Sequence, residues 1–288
     1  MRWQGRKQSE NIEDRRGSRL SRGVGLGGIG TVVVILIALY TGQDPTTLLQ
    51  NVEEMTGRGQ TQSAQGPYQE SAAEAQLREF TGFVLADTEE TWNTLFKAAG
   101  RQYVEPTLVL FSGAVDSACG HAQSATGPFY CPGDQKVYID LSFYGDLQQK
   151  LGAGGDFAQA YVIAHEVGHH VQTLLGISER NQAARQRGAS EVEANALSVQ
   201  QELQADCFAG IWAHNADQSR RLLEAGDIEE GLNAANAIGD DRLQRQSQGY
   251  VAPDSFTHGT SEQRVSWFRR GFSTGDMNQC DTFAAKNL

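Results

Sequence analysis

The sequence predicts an α+β chain, mainly α, with a small irregular β-sheet and one transmembrane helix ahead of the folded body. Three observations predict it. Apolar residues recur at helical spacing through long stretches, first around residues 68–99 and again from Ser142 almost to the end. Only two short β-type runs occur, 107–111 and 136–141, on either side of a segment rich in Gly, Pro and Cys. An uncharged stretch, Gly23–Tyr40, follows a basic terminus. With 288 residues, 39% of them hydrophobic, the chain is long enough for one large domain or two small ones with a proper core.

In chain order, residues 1–22 are polar and basic without hydrophobic periodicity, and they read as a disordered cytoplasmic tail. Residues 1–23 hold seven Lys/Arg against three acids, a surplus of +4 in a chain whose net charge is −11. The rest therefore carries −15, which argues against nucleic acid as a partner because phosphates need basic stripes. Residues 23–42 read as the anchor: as a helix, Gly23–Tyr40 spans about 27 Å, near the lower limit for a bilayer. Arginines before it and Asp44 after it predict a cytoplasmic N-terminus and a body on the periplasmic or extracellular side of the membrane. A cleaved signal peptide competes, but Ala38-Leu39-Tyr40 offers no clean small-x-small cleavage site. Residues 43–66, rich in Gly, Gln, Thr and Ser, read as a linker, and 67–288 as the folded domain.

Within that domain, Leu77, Phe80, Val84, Leu85, Trp92, Leu95 and Phe96 mark one helix over residues 68–99 that serves packing. Between the two strand runs, Gly120, Gly127, Pro128, Pro132 and Gly133 break the segment from Cys119 to Cys131 into a long hairpin or irregular sheet. The four cysteines form no Cys-x-x-Cys pair. An even count in an exported body suggests disulfides. Of three possible connectivities the favoured one is Cys119–Cys131 with Cys207–Cys280.

The chemistry centres on Ala164-His165-Glu166-Val167-Gly168-His169-His170. Apolar Phe157, Ala160, Tyr161, Ala164, Val167, Val171 and Leu174 make residues 157–175 an amphipathic helix, with Asp156 a candidate N-cap and Gly176 the stop. On such a helix His165 and His169, at i and i+4, reach the same ion, and Glu166 reaches a water beside it. This is the pattern of a zinc hydrolase. Zinc needs a third protein ligand and an open fourth position. A second helical stretch, 190–213, offers Glu202 and Asp206 on one face. One carboxylate can bind the metal and the other accept the second ring N–H of a ligand histidine. Their neighbours Leu203, Ala205, Cys207 and Phe208 are apolar, so these acids need partners.

His165-Glu166-x-x-His169 with Glu202-x-x-Ala205-Asp206 resembles the glutamate-type zincins. It is closer still to the bacterial family described as putative neutral zinc metallopeptidases, which also has a basic N-terminus, one membrane span and a segment like Cys131-Pro132-Gly133-Asp134. The resemblance covers nearly the whole chain. It implies a zincin-like metallopeptidase domain holding one Zn2+ ion, with His165, His169 and Glu202 as ligands, Glu166 as general base and Asp206 behind a ligand histidine. The gap from His169 to Glu202 is longer than in thermolysin-like enzymes, leaving room for a helix around 178–187. Further on, His258-Gly259-Thr260-Ser261-Glu262-Gln263-Arg264 is similar to the His-Pro-x-x-x-x-Arg segment of CaaX prenyl proteases, with Gly259 in place of Pro. That likeness implies that His258 stabilises an oxyanion and that Arg264 supports it or binds peptide backbone. The residues alone also allow Ser261 to cap a last helix, 262–272, with His258 an ordinary loop residue. Tyr250 is a second donor candidate.

Of the other histidines, His170 points away from the ligand face and is expected to be structural, His214 is expected on the surface, and His121 has no assignment. Glu193 is the next choice for third ligand. The expected function is a membrane-anchored zinc endopeptidase acting on protein or peptide substrates. The competing readings are a catalytically silent zincin-type binding or regulatory protein, which has no need of Glu166, and a structural zinc protein, which would need a fourth ligand.

Overall fold

A computed structural model of the chain describes residues 1–17 and 68–285. Strand β1 (Ile12–Asp14) leads to helix α1 (Ala72–Ala98), whose start is fixed by a capping box between Ser71 and Glu74. Five strands follow: β2 (Thr107–Phe111), β3 (Ala114–Ser117), β4 (Gly120–Gln123), β5 (Phe129–Cys131) and β6 (Lys136–Asp140). The remainder is helical: α2 (Ser142–Gln149), α3 (Asp156–Leu174), α4 (Ile177–Gln186), α5 (Glu191–Gln218), α6 (Asp227–Ala237), α7 (Asp240–Gln248) and α8 (Ser261–Thr274). The class is thus mainly helical α+β with small sheets, as the periodicity predicts.

The main sheet has the order β1-β2-β6-β5, with β1, β2 and β6 parallel and β5 antiparallel to β6. Successive side chains of a strand point to opposite faces. Leu108, Leu110, Val137 and Ile139 face the helical core, while Val109, Phe111 and Tyr138 gather with Val115 and Cys131 on the other side. Both faces are covered, which is why Thr-Leu-Val-Leu-Phe reads as a continuous apolar run rather than an alternating one. The Cys119–Cys131 and Cys207–Cys280 disulfides are both present, the first tying the β3–β4 hairpin to β5 and the second tying α5 to the C-terminal tail.

Helices α5 and α8 meet backbone to backbone. A Cβ on Gly210 would stand 2.1 Å from the Phe268 carbonyl oxygen, and one on Gly271 would stand 1.9 Å from that of Cys207. Only glycine permits that approach, and it brings the face of α8 that carries Arg264 against α5.

The N-terminal residues depart from expectation. Met1–Arg16 belong to the same compact unit as the body, so they are not a disordered tail. Strand β1 adds to the free edge of β2, the Trp3 ring packs edge-on against Phe80, and Met1 is buried. The arm's charges are paired with the body: Glu13 with Lys136, Arg16 with Glu70, and the Met1 amine with Asp156 and Asp227. Composition alone hides this, because the paired acids lie far along the chain. The expected anchor at 23–42 lies outside the described residues. Among the described residues, no helix is long and apolar enough to cross a membrane. An arm that shares a sheet with the body lies on the same side of any bilayer as the body, so a cytoplasmic arm with an exported body does not fit this unit.

Deleting residues 1–16 is expected to lower folding stability by about 3–6 kcal/mol, the worth of two or three large buried side chains. Urea unfolding measures it, and an unchanged midpoint would make the arm an accessory.

Two helix starts also differ from expectation by one residue. Gly155, at φ +117°, is the N-cap of α3, and Asp156 instead points its carboxylate at the Met1 amine. Thr260 rather than Ser261 caps α8, in a capping box with Gln263.

Candidate metal centre

Helices α3 and α5 lie against each other because Gly168, inside the histidine motif, carries no side chain. A Cβ there would sit 3.0 Å from the Ala205 carbonyl oxygen. The close approach sets the carboxylates of α5 over the histidines of α3. Nε2 of His165 stands 3.1 Å from one Glu202 oxygen, and Nε2 of His169 stands 3.3 Å from the other. Ligand donors about 2.0–2.2 Å from a tetrahedral ion stand roughly 3.4 Å apart, so two imidazoles and one carboxylate at these separations fit zinc. Among the described residues, one other acidic group has ligand-like spacing, Asp156 with Asp227 and Glu230, but the Met1 amine lies against two of its members. Glu193 is committed to capping Ser190 at the start of α5, which takes it out of contention as a ligand.

Asp206 lies behind His165. Its carboxylate is fully buried and accepts from Nδ1 of His165 at 2.9 Å and from the Tyr161 hydroxyl. Arg264 donates to it twice, at 2.8 and 3.0 Å. Arg264 is itself only 2% exposed. The structure therefore gives Arg264 a different task from the expected one: its guanidinium is the counter-charge of Asp206, not a hand held out to peptide backbone. Burial opposes charge on Asp206, and the charges of Arg264 and His165 overcome it and hold the carboxyl below its ordinary range.

Burial likewise opposes a proton on His165, but the neighbouring Asp206 and Glu202 carboxylates outweigh it and push the pKa up to about 10. His169 is raised in the same sense, against its own burial, by Glu202. A metal ligand must be a neutral imidazole, so zinc and protons compete for these rings. The raised values mean that the proton stabilises the metal-free fold fully below the ordinary histidine pKa near 6.5, and that this contribution is lost as pH rises toward 10. Zinc affinity should therefore climb at least tenfold per pH unit from near neutrality toward pH 10, a factor of about ten for each ring proton released. Calorimetric titrations in buffers of different ionisation enthalpy measure it, and a buffer-independent heat would contradict it.

A cavity of about 700 Å³ opens over the centre, lined by His165, Glu166, His169 and Glu202 and by apolar Phe129, Phe143 and Leu151. A second cavity of about 850 Å³, with polar walls that include Gln182 and Arg185 of α4, shares Glu202 and His258 with the first. Thus α4, in the long gap between the two motifs, walls the cleft. The edge strand bordering it is β5. Strands β2 and β6 are paired on both sides and cannot take a further strand.

His258 stands at the mouth of both cavities, half-exposed. Its Nδ1 lies 3.2 Å from Asp240, whose other oxygen accepts the backbone N–H groups of Thr257, His258 and Gly259. The hydrogen bond to Asp240 raises the His258 pKa despite partial burial. Tyr250 is 63% exposed and lines neither cavity, so the structure does not bring it to the site. His170 is buried, bonded to the Val104 carbonyl and the Tyr130 hydroxyl, a structural place as expected. His214, expected on the surface, is instead half-buried against the Phe272 carbonyl. His121 pairs with Asp116 on the exposed β3–β4 hairpin.

Three partners escaped the sequence reading: Tyr161, Asp240 and Gln172, the last accepting from Nδ1 of His169 at 2.9 Å. Tyr161 and Gln172 were findable in principle, since they lie four residues before His165 and three after His169 on the ligand-bearing helix. Nothing in the sequence near Asp240 points to His258.

A fold of this kind, with two facing helices that gather His-Glu-x-x-His and a glutamate under an open cleft, defines a zinc-peptidase type of site. The model of the family described as putative neutral zinc metallopeptidase matches residues 1–283, and the chain belongs to that family. It is 54% identical over 294 residues to a protein of Escherichia coli (strain K12) described as uncharacterized protein YpfJ, covering 98% of this chain and 99% of that one. A protein of Mycobacterium bovis described as uncharacterized protein Mb2605 is 45% identical over 196 residues, 65% of each chain. No solved structure matches.

Proposed function

We propose that this chain is a zinc-dependent endopeptidase that hydrolyses peptide bonds of protein or peptide substrates with a single catalytic ion. The observation that carries the reading is the joint placement of His165, His169, Glu202 and Glu166 on one wall of an open cleft. A structural zinc site would be closed by a fourth protein ligand. Among the described residues, the metal-type cluster at this site contains three.

Zinc bound by these three side chains supplies a Lewis acid and an acidified water. The rest falls to the chain itself. Glu166 takes the proton of the attacking water and passes it to the leaving amine. His258, held by Asp240, donates toward the oxyanion as charge develops there. The free edge of β5 pairs with an extended peptide and sets its register across the ligands. Asp206 and Arg264 act behind His165 and do not meet substrate. Attachment to a bacterial membrane through residues 23–42 belongs to the proposal in a form that leaves arm and body on one side.

The test is metal analysis of the full chain together with cleavage of a peptide library. About one zinc per chain with discrete cleavage sites is expected. Zinc without cleavage of any peptide would favour the silent binding protein.

A further inference from the structure

Behind His169 two buried glutamines form a relay whose polarity is fixed at its far end. Gln172 is fully buried and Gln204 is 5% exposed. The side-chain nitrogen of Gln204 stands 2.9 Å from the backbone carbonyl of Cys280, in the short 3₁₀ turn Met277–Cys280. A carbonyl only accepts, so that nitrogen donates and Oε1 of Gln204 is left to accept. It accepts from Nε2 of Gln172 at 3.1 Å, and the same Nε2 also donates to the Gln201 carbonyl at 2.7 Å. Oε1 of Gln172 must then be an acceptor, and it faces Nδ1 of His169 at 2.9 Å.

We propose that Gln172 is a positioning residue that holds His169 as the Nδ1–H tautomer and so leaves the Nε2 lone pair for the metal. Two backbone carbonyls dictate this: that of Gln201 directly, and that of Cys280 through Gln204. The inference rests on the reading of His169 as a zinc ligand. The opposite tautomer would set a bare ring nitrogen against Oε1 of Gln172. Flipping that amide to compensate would point its oxygen at both the Gln201 carbonyl and Oε1 of Gln204, setting acceptor against acceptor at 2.7 and 3.1 Å. The far end of the relay is well anchored. Cys280 is bridged to Cys207 on α5, and the Thr282 hydroxyl donates to the Gln200 carbonyl. The two ligand histidines are thus fixed by different means: His165 by the anionic Asp206, His169 by a neutral relay that carries direction without charge.

The test measures zinc dissociation constants by chelator competition on the full chain, for Gln172→Glu, Gln172→Met and Gln204→Leu. Loss of the partner behind a ligand typically weakens metal binding about 10–100-fold. Gln172→Met, which has no strong acceptor, should show that loss. It should also lose the slowly exchanging His169 Nδ1 proton in the NMR spectrum of the zinc form. Gln172→Glu keeps an acceptor against the ring and should bind zinc more tightly than Gln172→Met, although a buried charge makes it the less stable fold. Gln204→Leu leaves the Gln201 carbonyl in command and should weaken zinc only a few-fold. A purely structural glutamine would make zinc affinity follow stability, with Gln172→Met binding zinc at least as tightly as Gln172→Glu, and that result overturns the proposal. So does a parental dissociation constant in Gln172→Met. His169→Ala serves as the reference: if it binds zinc like the parent, the ligand reading has failed rather than the relay.

Discussion

Glu166→Gln is expected to keep its zinc and to lose peptide cleavage by about 10²–10⁴-fold in kcat/KM, the usual worth of a general base. Glutamine has nearly the shape of glutamate, and position 166 is not one of the three donors, so the dissociation constant for zinc should stay within a few-fold of the parent. His165→Ala and Glu202→Ala should instead lose the metal at ordinary concentrations, because each removes one of the three proposed ligands. Side-by-side metal analysis and fluorogenic peptide cleavage separate the two kinds of loss. A Glu166→Gln protein that cleaves at the parental rate would move the base elsewhere. A Glu202→Ala protein with parental zinc affinity would move the third ligand. The second outcome would reopen the whole site, since with Glu193 committed to a cap no other acid of α5 but Asp206 is close, and Asp206 is taken up by His165, Tyr161 and Arg264.

What was legible in the sequence was whatever repeats locally. The helices α1 and α3 announce themselves by apolar spacing, α4 by the length of the gap between the two motifs, and the pair Glu202/Asp206 by its turn-length separation on an apolar helix. The cysteine pairing followed from nearness in one case and elimination in the other. What was not legible depends on residues that meet only in the fold. β1 has three residues, too few to show a period of two, and its charges look like a tail until Lys136 and Glu70 arrive from elsewhere. A one-residue shift of a cap, as at Gly155 and Thr260, turns on backbone angles that Asp156 and Ser261 do not disclose by type. The likeness to the CaaX prenyl proteases implies for Arg264 a place beside the oxyanion or the peptide backbone, and it says nothing of a carboxylate behind His165. The burial of Arg264 follows from the glycine contact between α5 and α8, a property of two helices at once.

The Asp206–Arg264 pair should divide stability from metal binding. Both are buried, and removing one partner of such a pair leaves an uncompensated charge that costs about 3–5 kcal/mol. Asp206→Asn keeps the shape but offers one acceptor oxygen to the three donors His165, Tyr161 and Arg264, and it turns an N–H₂ group toward them. It is expected to lose that much stability in metal-free urea unfolding and to bind zinc about 10–100-fold more weakly, because Nδ1–H of His165 no longer has a carboxylate behind it. Arg264→Met should lose similar stability, yet Asp206 still accepts from His165, so zinc affinity should fall only a few-fold. The double variant Asp206→Leu/Arg264→Met removes both buried charges and should recover part of the stability lost by either single change. It should not recover zinc, since the histidine is still without its acceptor. Recovery of both together would mean that Asp206 matters only as the partner of Arg264. Loss of zinc in Arg264→Met as deep as in Asp206→Asn would instead assign the guanidinium a direct part in holding His165, whose Nδ1 it approaches at 3.4 Å.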